Sequence, residues 1–204
     1  MLATVRLIVW GLVLVIFNII IKKATIAHKG RWRIISVVVC AVLASLSALI
    51  PVENVFVTYN SPESAFKYVN SCEAQLVVEG KETAFVIGDK DDADIYLIVP
   101  KSKSGWKLGT GFNTKRILQK IDGETAVEVY RYKDTDDYYI TVFDKTGEIL
   151  DITDKNNSSF VYLKRTDNTL NTDIYTYYAY VHSFNNQYSL CVNGKTISVS
   201  DSTV

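Results

Sequence analysis

The sequence predicts a mainly β fold: an antiparallel meander curled into a sandwich or barrel with one short N-terminal helix, preceded by a two-helix transmembrane hairpin. Three observations predict it. Two apolar runs without an acidic residue, Leu7 to Ile21 and Ile34 to Ile50, flank a short basic connection. Beyond Pro51 the chain turns polar, and valine, isoleucine, tyrosine and threonine recur at period two, the repeat of a half-buried strand. Turn signals punctuate that pattern at Glu79 and Gly80, Asp122 and Gly123, Thr146 and Gly147, and Asn193 and Gly194, the last favouring a tight hairpin.

A hydrocarbon layer about 30 Å thick is crossed by roughly 20 mostly apolar helical residues, because each rises about 1.5 Å. The first run reaches that length when read from Leu2, with Arg6 extending its guanidinium to the headgroups. The second, Ile34 to Val52, is matched by little tilt, with Trp32 and Arg33 at the interface. Residues 2 to 5 carry no charge, and the run ends in Ile19, Ile20, Ile21, Lys22 and Lys23, without a small-residue cleavage site. An uncleaved helix is therefore expected rather than a signal peptide.

Lys22, Lys23, Lys29, Arg31 and Arg33 mark the connection, whereas the opposite ends offer only Arg6 before Lys67. Basic residues near helix ends stay cytoplasmic. The expected organisation is a cell-membrane anchor over 1–52 with a cytoplasmic loop at 22–33, a linker at 53–60, and an extracytoplasmic β domain over 61–204. Both termini then lie outside the cytoplasm.

Membrane helices associate through small residues that let backbones approach. Ser36, Cys40, Ala44 and Ala48 recur every fourth position on the second helix, and Thr4, Gly11 and Asn18 every seventh on the first, so these stripes are expected to face each other. Asn18 is expected to bond across the pair. No ionisable group lies at depth, which favours an anchor over a transport path.

All 22 acidic residues but only 16 of the 22 basic ones follow residue 50, so the domain carries −6 behind a formal zero. A net-negative domain argues against nucleic acid and against adhesion to anionic lipid or wall polymers. Lys101, Lys103 and Lys107 read as a solvated loop.

Ser61 followed by Pro62 and Glu63 is a helix start, a hydroxyl cap with proline at the first helical position; Ala65, Phe66 and Val69 give an apolar face, and the helix ends near Asn70 or Ser71. Strands are read near 75–79, 83–88, 94–99, 105–109, 115–121, 125–133, 137–144, 148–153, 158–165, 174–184, 187–192 and 195–199, each pairing with its sequence neighbour.

The run SPESAFKYVN at 61–70, then strands, then GWKL at 105–108, resembles stretches of membrane-anchored proteins of Gram-positive bacteria. The resemblance implies a bacterial cell-envelope location and brings no activity with it.

His182 is the one histidine outside the anchor. A two-residue turn at Asn185 and Asn186 would place His182 opposite Ser189 with Cys191 diagonal to it, an arrangement in which a thiol nucleophile meets a base, yet nothing supplies an oxyanion hole or an orienting acid. Cys72 and Cys191 are alternatively a possible disulfide in an oxidising exterior, or equally two free buried thiols, since a domain of this size needs no staple. Two aspartate-rich turns, Asp89, Asp91, Asp92 and Asp94, and Asp134, Asp136 and Asp137, suit turn geometry as well as calcium, and neither matches an EF-hand. No cofactor or metal is expected, since zinc spacing, a glycine-rich phosphate loop and a serine elbow are all lacking.

All 13 tyrosines follow residue 50. Alternation places Tyr178, Tyr180, His182 and Phe184 on one face as candidate binding residues, opposite Tyr175 and Tyr177. The expectation is a noncatalytic, membrane-anchored domain that binds or senses at the cell envelope, with the bilayer and an envelope ligand or protein as partners and no nucleic acid. An immunity or inhibitor protein against a partner toxin or enzyme is the competing class, and a cryptic cysteine–histidine hydrolase the third.

Overall fold

The computed structural model describes residues 2–24, 28–49, 51–90, 93–110, 113–133, 135–167, 172–182, 184–185 and 187–199. The two apolar runs form α1 (Leu2–Lys23) and α2 (Lys29–Leu49). They run antiparallel, since the start of α1 meets the end of α2: Trp10 Nε1 donates to Ser47 Oγ at 3.0 Å, and Arg6 makes two 2.7 Å bonds to the Glu53 carboxylate. Ser36, Cys40 and Ser47 are buried between the helices, while Ile8, Leu12, Val15, Ile16, Val38 and Val42 point outward. Among the described residues, Lys29–Ser47 is the segment long and apolar enough to cross a membrane.

The expected packing stripe forms on α2 and not on α1. Ala44 is half-buried beside Ser36 and Cys40, whereas the side chain of Ala48 lies outside the described residues. Gly11 faces outward, with nothing within 4 Å of where a Cβ would stand. Asn18 donates to the Leu14 carbonyl of its own helix at 3.0 Å rather than across the pair. A carbonyl one turn back satisfies a short amide locally, and Trp10 and Ile21 supply the contact on α1 instead.

The segment expected to be a linker is clasped to the β domain. A 3-10 turn at Val52–Val55 presents Asn54, whose amide donates to the Leu108 carbonyl at 2.9 Å and accepts from the Leu108 N–H at 2.7 Å. Lys107, expected in a solvated loop, donates at 2.8 Å to the carbonyls of Asn54 and Val57 and to Thr58 Oγ1. Tyr59 and Trp106 exchange backbone bonds of 2.9 Å.

The expected short helix is α3 (Pro62–Asn70). Ser61 Oγ accepts from the Ser64 N–H at 3.3 Å, and Ser71 closes the helix in the left-handed region at φ 59°. The first sheet has the order β1-β2-β3-β4, from β1 (Ala74–Glu79), β2 (Thr83–Lys90), β3 (Ala93–Ser102) and β4 (Gly105–Trp106). Five strands form the second: β5 (Thr114–Asp122), β6 (Thr125–Tyr132) and β7 (Asp137–Asp144), joined by β9 (Val161–Asp167) and β10 (Thr172–His182), in the order β5-β6-β7-β10-β9. In the third, β11 (Ser189–Val192) lies between β12 (Lys195–Ser198) and β8 (Ile152–Asp154). Every pairing is antiparallel, and the fold is mainly β.

The meander therefore holds for β1–β4 and for β5–β7; beyond them β9 still pairs with β10 and β11 with β12 across the expected Asn193–Gly194 turn, but β8 leaves β7 for β11 and β10 takes the place beside β7. Thr146 and Gly147 do not turn β7 back on itself. The Asp144 carboxylate gathers Thr146 and, at 2.7 Å, the Thr125 hydroxyl; further on, the Leu150 N–H donates to the Tyr177 hydroxyl at 2.7 Å, carrying the chain to the outer face of the second sheet. There β8 pairs with β11.

Three apolar layers hold the sheets. Phe66 and Ala65 of α3 pack on Ala84, Val86, Leu97 and Val99, one face of the first sheet. Phe66 fits because Gly88 leaves room: a Cβ there would stand 2.6 Å from its ring. Phe85, Ile87 and Ile98, the alternate residues of that sheet, meet Tyr130, Tyr139 and Tyr178 of the second. Its far face, with Val127, Val129, Ile140, Val142 and Tyr177, packs on Leu190, Val192 and Ile197 of the third. The stack is thus helix, sheet, sheet, sheet, and β2 and β7 are buried along most of their length because both their faces are covered.

Candidate functional site

Where the first and second sheets diverge they leave a cleft of about 340 Å³. Its floor follows from register. Gln119 pairs with Glu128, Glu128 with Thr141, and Thr141 with Tyr178, so a polar row crosses β5, β6 and β7 and ends on the tyrosine of β10. One step along the strands, Ala126 pairs with Phe143 and Phe143 with Thr176, which forms an apolar shelf. In the other direction, the adjoining row of Tyr130 and Tyr139 packs under Phe85 and closes the gap.

The opposite wall is Phe85 and Ile87 of β2 with Asp94 and Tyr96 of β3. Tyr96 is the ring that meets solvent, at 46% exposure. Its centroid lies 4.9 Å from Tyr130 and 5.4 Å from Phe85, so deeper rings support it from behind. Burial, reinforced by the Glu128 carboxylate, pushes the Tyr130 hydroxyl far above its usual range, and burial does the same to Tyr178. Both remain protonated hydrogen-bond donors.

Neither carboxylate of the cleft is free. Glu128 accepts from Arg116 at 2.6 Å and from the Tyr130 hydroxyl at 2.5 Å. Asp94 pairs with Arg165 at 2.7 Å, and Arg165 also reaches Asp89 at 2.6 Å. Burial raises the Asp94 carboxyl against the opposing pull of Arg165. The cleft thus offers a supported aromatic face, fixed acceptors and a hydroxyl, and its acids are committed to arginines instead of to proton transfer.

At the closed end, Asp137 fastens the two sheets. Though 1% exposed, its carboxylate accepts from the Glu82 and Thr83 amides at 2.7 Å, the Lys81 amide at 3.2 Å, the Thr83 hydroxyl at 2.9 Å and the Tyr180 hydroxyl at 3.0 Å. Gly80 lets the turn approach, since a Cβ there would stand 2.6 Å from the Tyr139 hydroxyl.

The four candidate binding residues do not share one exposed face. Tyr178 is buried between the sheets at 4% exposure, and Tyr180 is held by Asp137. Phe184 lies past the end of β10, where alternation stops, and packs between Tyr138 and Tyr188 on the opposite face at 5.4 and 5.1 Å. His182 is exposed, with Nδ1 3.3 Å from the Tyr180 hydroxyl. His182 pairs with Asp137, Ser189 with Ser198, and Cys191 with Thr153 and Thr196, so the expected pairing of His182 with Ser189, with Cys191 diagonal to it, does not form. Asn186 of the expected turn lies outside the described residues.

Cys40, Cys72 and Cys191 are free thiols. Cys72 packs beside α3 and Cys191 lies in the third sheet, so two layers separate the cysteines of the expected bridge. Asp91, Asp92 and Asp134 of the acidic turns lie outside the described residues. Among the described residues no group of three or more ligating side chains is placed to hold a metal ion.

The cleft residues Tyr96, Gln119, Glu128, Tyr130 and Thr141 were not singled out by the sequence. Alternation puts Val127 and Val129 inward and so assigns Glu128 and Tyr130 to solvent; that face is covered by the first sheet at Tyr130 and open at Glu128. The available signal was Thr141, a polar residue midway along an otherwise apolar strand from Tyr138 to Phe143. No family model, no curated protein and no solved structure matches this chain.

Proposed function

We propose that the chain is a two-pass membrane protein whose α1 and α2 anchor an extracytoplasmic β domain, and that this domain binds a ligand at the cell envelope without transforming it. The observation that carries the anchor is the inside-out polarity of the helix pair. Ser36, Ser47 and the Arg6–Glu53 pair turn inward or lie at the end, while the large aliphatic side chains face out. A soluble helix pair would bury those side chains, whereas lipid requires them outside and polar groups satisfied within.

Lys22, Lys23, Lys29, Arg31 and Arg33 support a cytoplasmic connection and hence both termini outside. Where α2 ends, Val55, Phe56 and Val57 are 75%, 88% and 41% exposed on the clasped segment, apolar surface suited to the lipid interface. The resemblance of the 61–70 and 105–108 stretches favours a Gram-positive bacterial envelope.

The cleft between the first two sheets supports binding, being concave, aromatic and crossed by a polar row, within the range of about 300–1,000 Å³ for small-molecule sites. A photoreactive phenylalanine analogue in place of Tyr96 tests it in intact cells, with Ile121, 69% exposed and outside the cleft, as control. Irradiation is expected to crosslink a ligand from position 96 and not from 121. Equal yield from both, or none from 96, contradicts the reading.

A further inference from the structure

We propose that the cleft between the first and second sheets takes an uncharged carbohydrate, with one sugar ring stacked on Tyr96 and its hydroxyls bonded to the row Gln119, Glu128 and Thr141. This rests on the reading of the cleft as a binding site and adds the class of ligand. Three features of the site point to it.

The first is charge. The carboxylates of Glu128 and Asp94, the two acids that line the cleft, already face Arg116 and Arg165 at 2.6 and 2.7 Å, so each is engaged by an arginine. A cationic ligand would have to compete with these arginines for the same carboxylate oxygens. An anion would meet the acids themselves.

The second is the number of open aromatic faces. A cage for a quaternary ammonium needs several rings turned towards the cation. Here Phe85, Tyr130 and Tyr178 are at most 4% exposed and spend their faces on one another, leaving Tyr96 as the one open ring on its wall, with half-buried Phe143 on the shelf across the polar row. One platform suits one flat apolar face, which a pyranose presents through its axial C–H bonds.

The third is the spacing of polar groups. Residues paired directly across neighbouring strands stand about 4.5–5.5 Å apart. Gln119, Glu128 and Thr141 continue at that interval across three strands, offering an amide, a fixed carboxylate and a hydroxyl in line. The hydroxyls around a sugar ring need both donors and acceptors at such intervals. Among the described residues the Thr141 hydroxyl and the Gln119 amide have no hydrogen-bond partner of their own. A purely apolar ligand would leave the row unsatisfied.

Calorimetry on the full chain in lipid nanodiscs, titrated separately with chitotetraose, maltotetraose and tetramethylammonium, tests the proposal. At least one tetrasaccharide is expected to bind. Tyr96→Ala is expected to weaken it about tenfold, as the loss of one stacked face implies, and Thr141→Val to weaken it while the circular dichroism spectrum and melting temperature stay unchanged. Failure of both sugars to bind at millimolar concentration overturns the proposal, as does binding of tetramethylammonium that is lost with Tyr96→Ala. Sugar binding indifferent to both substitutions also overturns it. Crosslinking from position 96 in cells without sugar binding would refute the carbohydrate and leave the binding reading standing.

Discussion

Asp137 illustrates how a buried charge is made tolerable. Removing a carboxylate from water costs several kcal/mol, and hydrogen bonds to the charged form must offset it. Three amides of the β1–β2 turn and two hydroxyls do so here. Asp137→Ala leaves the Thr83 amide buried and unpaired, at about 1–3 kcal/mol, and strips a bond from the part-exposed Lys81 and Glu82 amides and from the Thr83 and Tyr180 hydroxyls. Urea unfolding of the detergent-solubilised protein should therefore show a loss of about 3 kcal/mol or more; a loss below about 1 kcal/mol would mean that the lock is idle.

Two further aspartates make stability depend on pH. At Asp144 and Asp154 burial raises the pKa, and it is outweighed by hydrogen bonds, from Thr146 and Thr125 in the first and from Ser158 and Tyr188 in the second, leaving both below the usual carboxylate range. A depressed folded pKa means the unfolded chain binds more protons, so the stabilisation is present above the unfolded value of about 3.9 and is lost as pH falls through the folded one. Asp94, raised by burial, contributes with the opposite sign. The urea midpoint should drop between pH 5 and the acid limit (roughly pH 2), and the double variant Asp144→Asn, Asp154→Asn should flatten that drop. An unchanged slope would remove these two residues from the account.

At the scale of elements, the clasp at 52–59 ties the chain just after α2 to the β domain. Asn54 and Lys107 together make five hydrogen bonds between the end of α2 and the β4 segment, where the sequence alone suggests a flexible connection. Lys107→Met with Asn54→Ala is expected to loosen the orientation of the domain without unfolding it. Spin labels on the β6 turn and in nanodisc lipid should then show a broadened distance distribution; an unchanged distribution would mean that the clasp does not set the orientation. Phe66 plays the matching role for α3, and Phe66→Ala should cost about 3–5 kcal/mol, the range for emptying a large aromatic site. A cost under about 1 kcal/mol would show that the helix is not held by that ring.

Most elements were legible in the sequence because their signals are local. The cap at Ser61, the proline after it and the β-branched and aromatic runs read as strands 83–88 and 137–144 depend on residues within one turn or one strand of each other. The placement of β8 and of the β9–β10 and β11–β12 pairs was not, because it depends on contacts far along the chain. The bond from Leu150 to Tyr177 and the packing of Phe184 on Tyr138 redirect strands that would otherwise pair with their neighbours. The cleft was hidden for a related reason. Whether Glu128 and Thr141 face water, a neighbouring sheet or a gap between sheets depends on where the first sheet ends over the second, which no local pattern records. Likewise Gly11 shares the spacing expected of the α1 interface without belonging to it, and Asn18 bonds within its own helix.

The whole molecule joins two bodies of opposite polarity: a helix pair with its aliphatic side chains outward, and a layered β domain that buries such side chains between sheets. The charge of the chain is divided in the same way, with 6 of the 22 basic residues and none of the acidic ones before residue 51. That division underlies the proposed orientation, and site-directed labelling in intact cells tests it most directly. In a background of Cys40→Ala, Cys72→Ser and Cys191→Ser, single cysteines are placed at Glu124, in the exposed β5–β6 turn, and at Lys29, at the start of α2. A membrane-impermeant maleimide is predicted to label position 124 in intact cells and position 29 only after permeabilisation. Labelling of position 29 in intact cells, with 124 protected until the membrane is opened, would contradict the account.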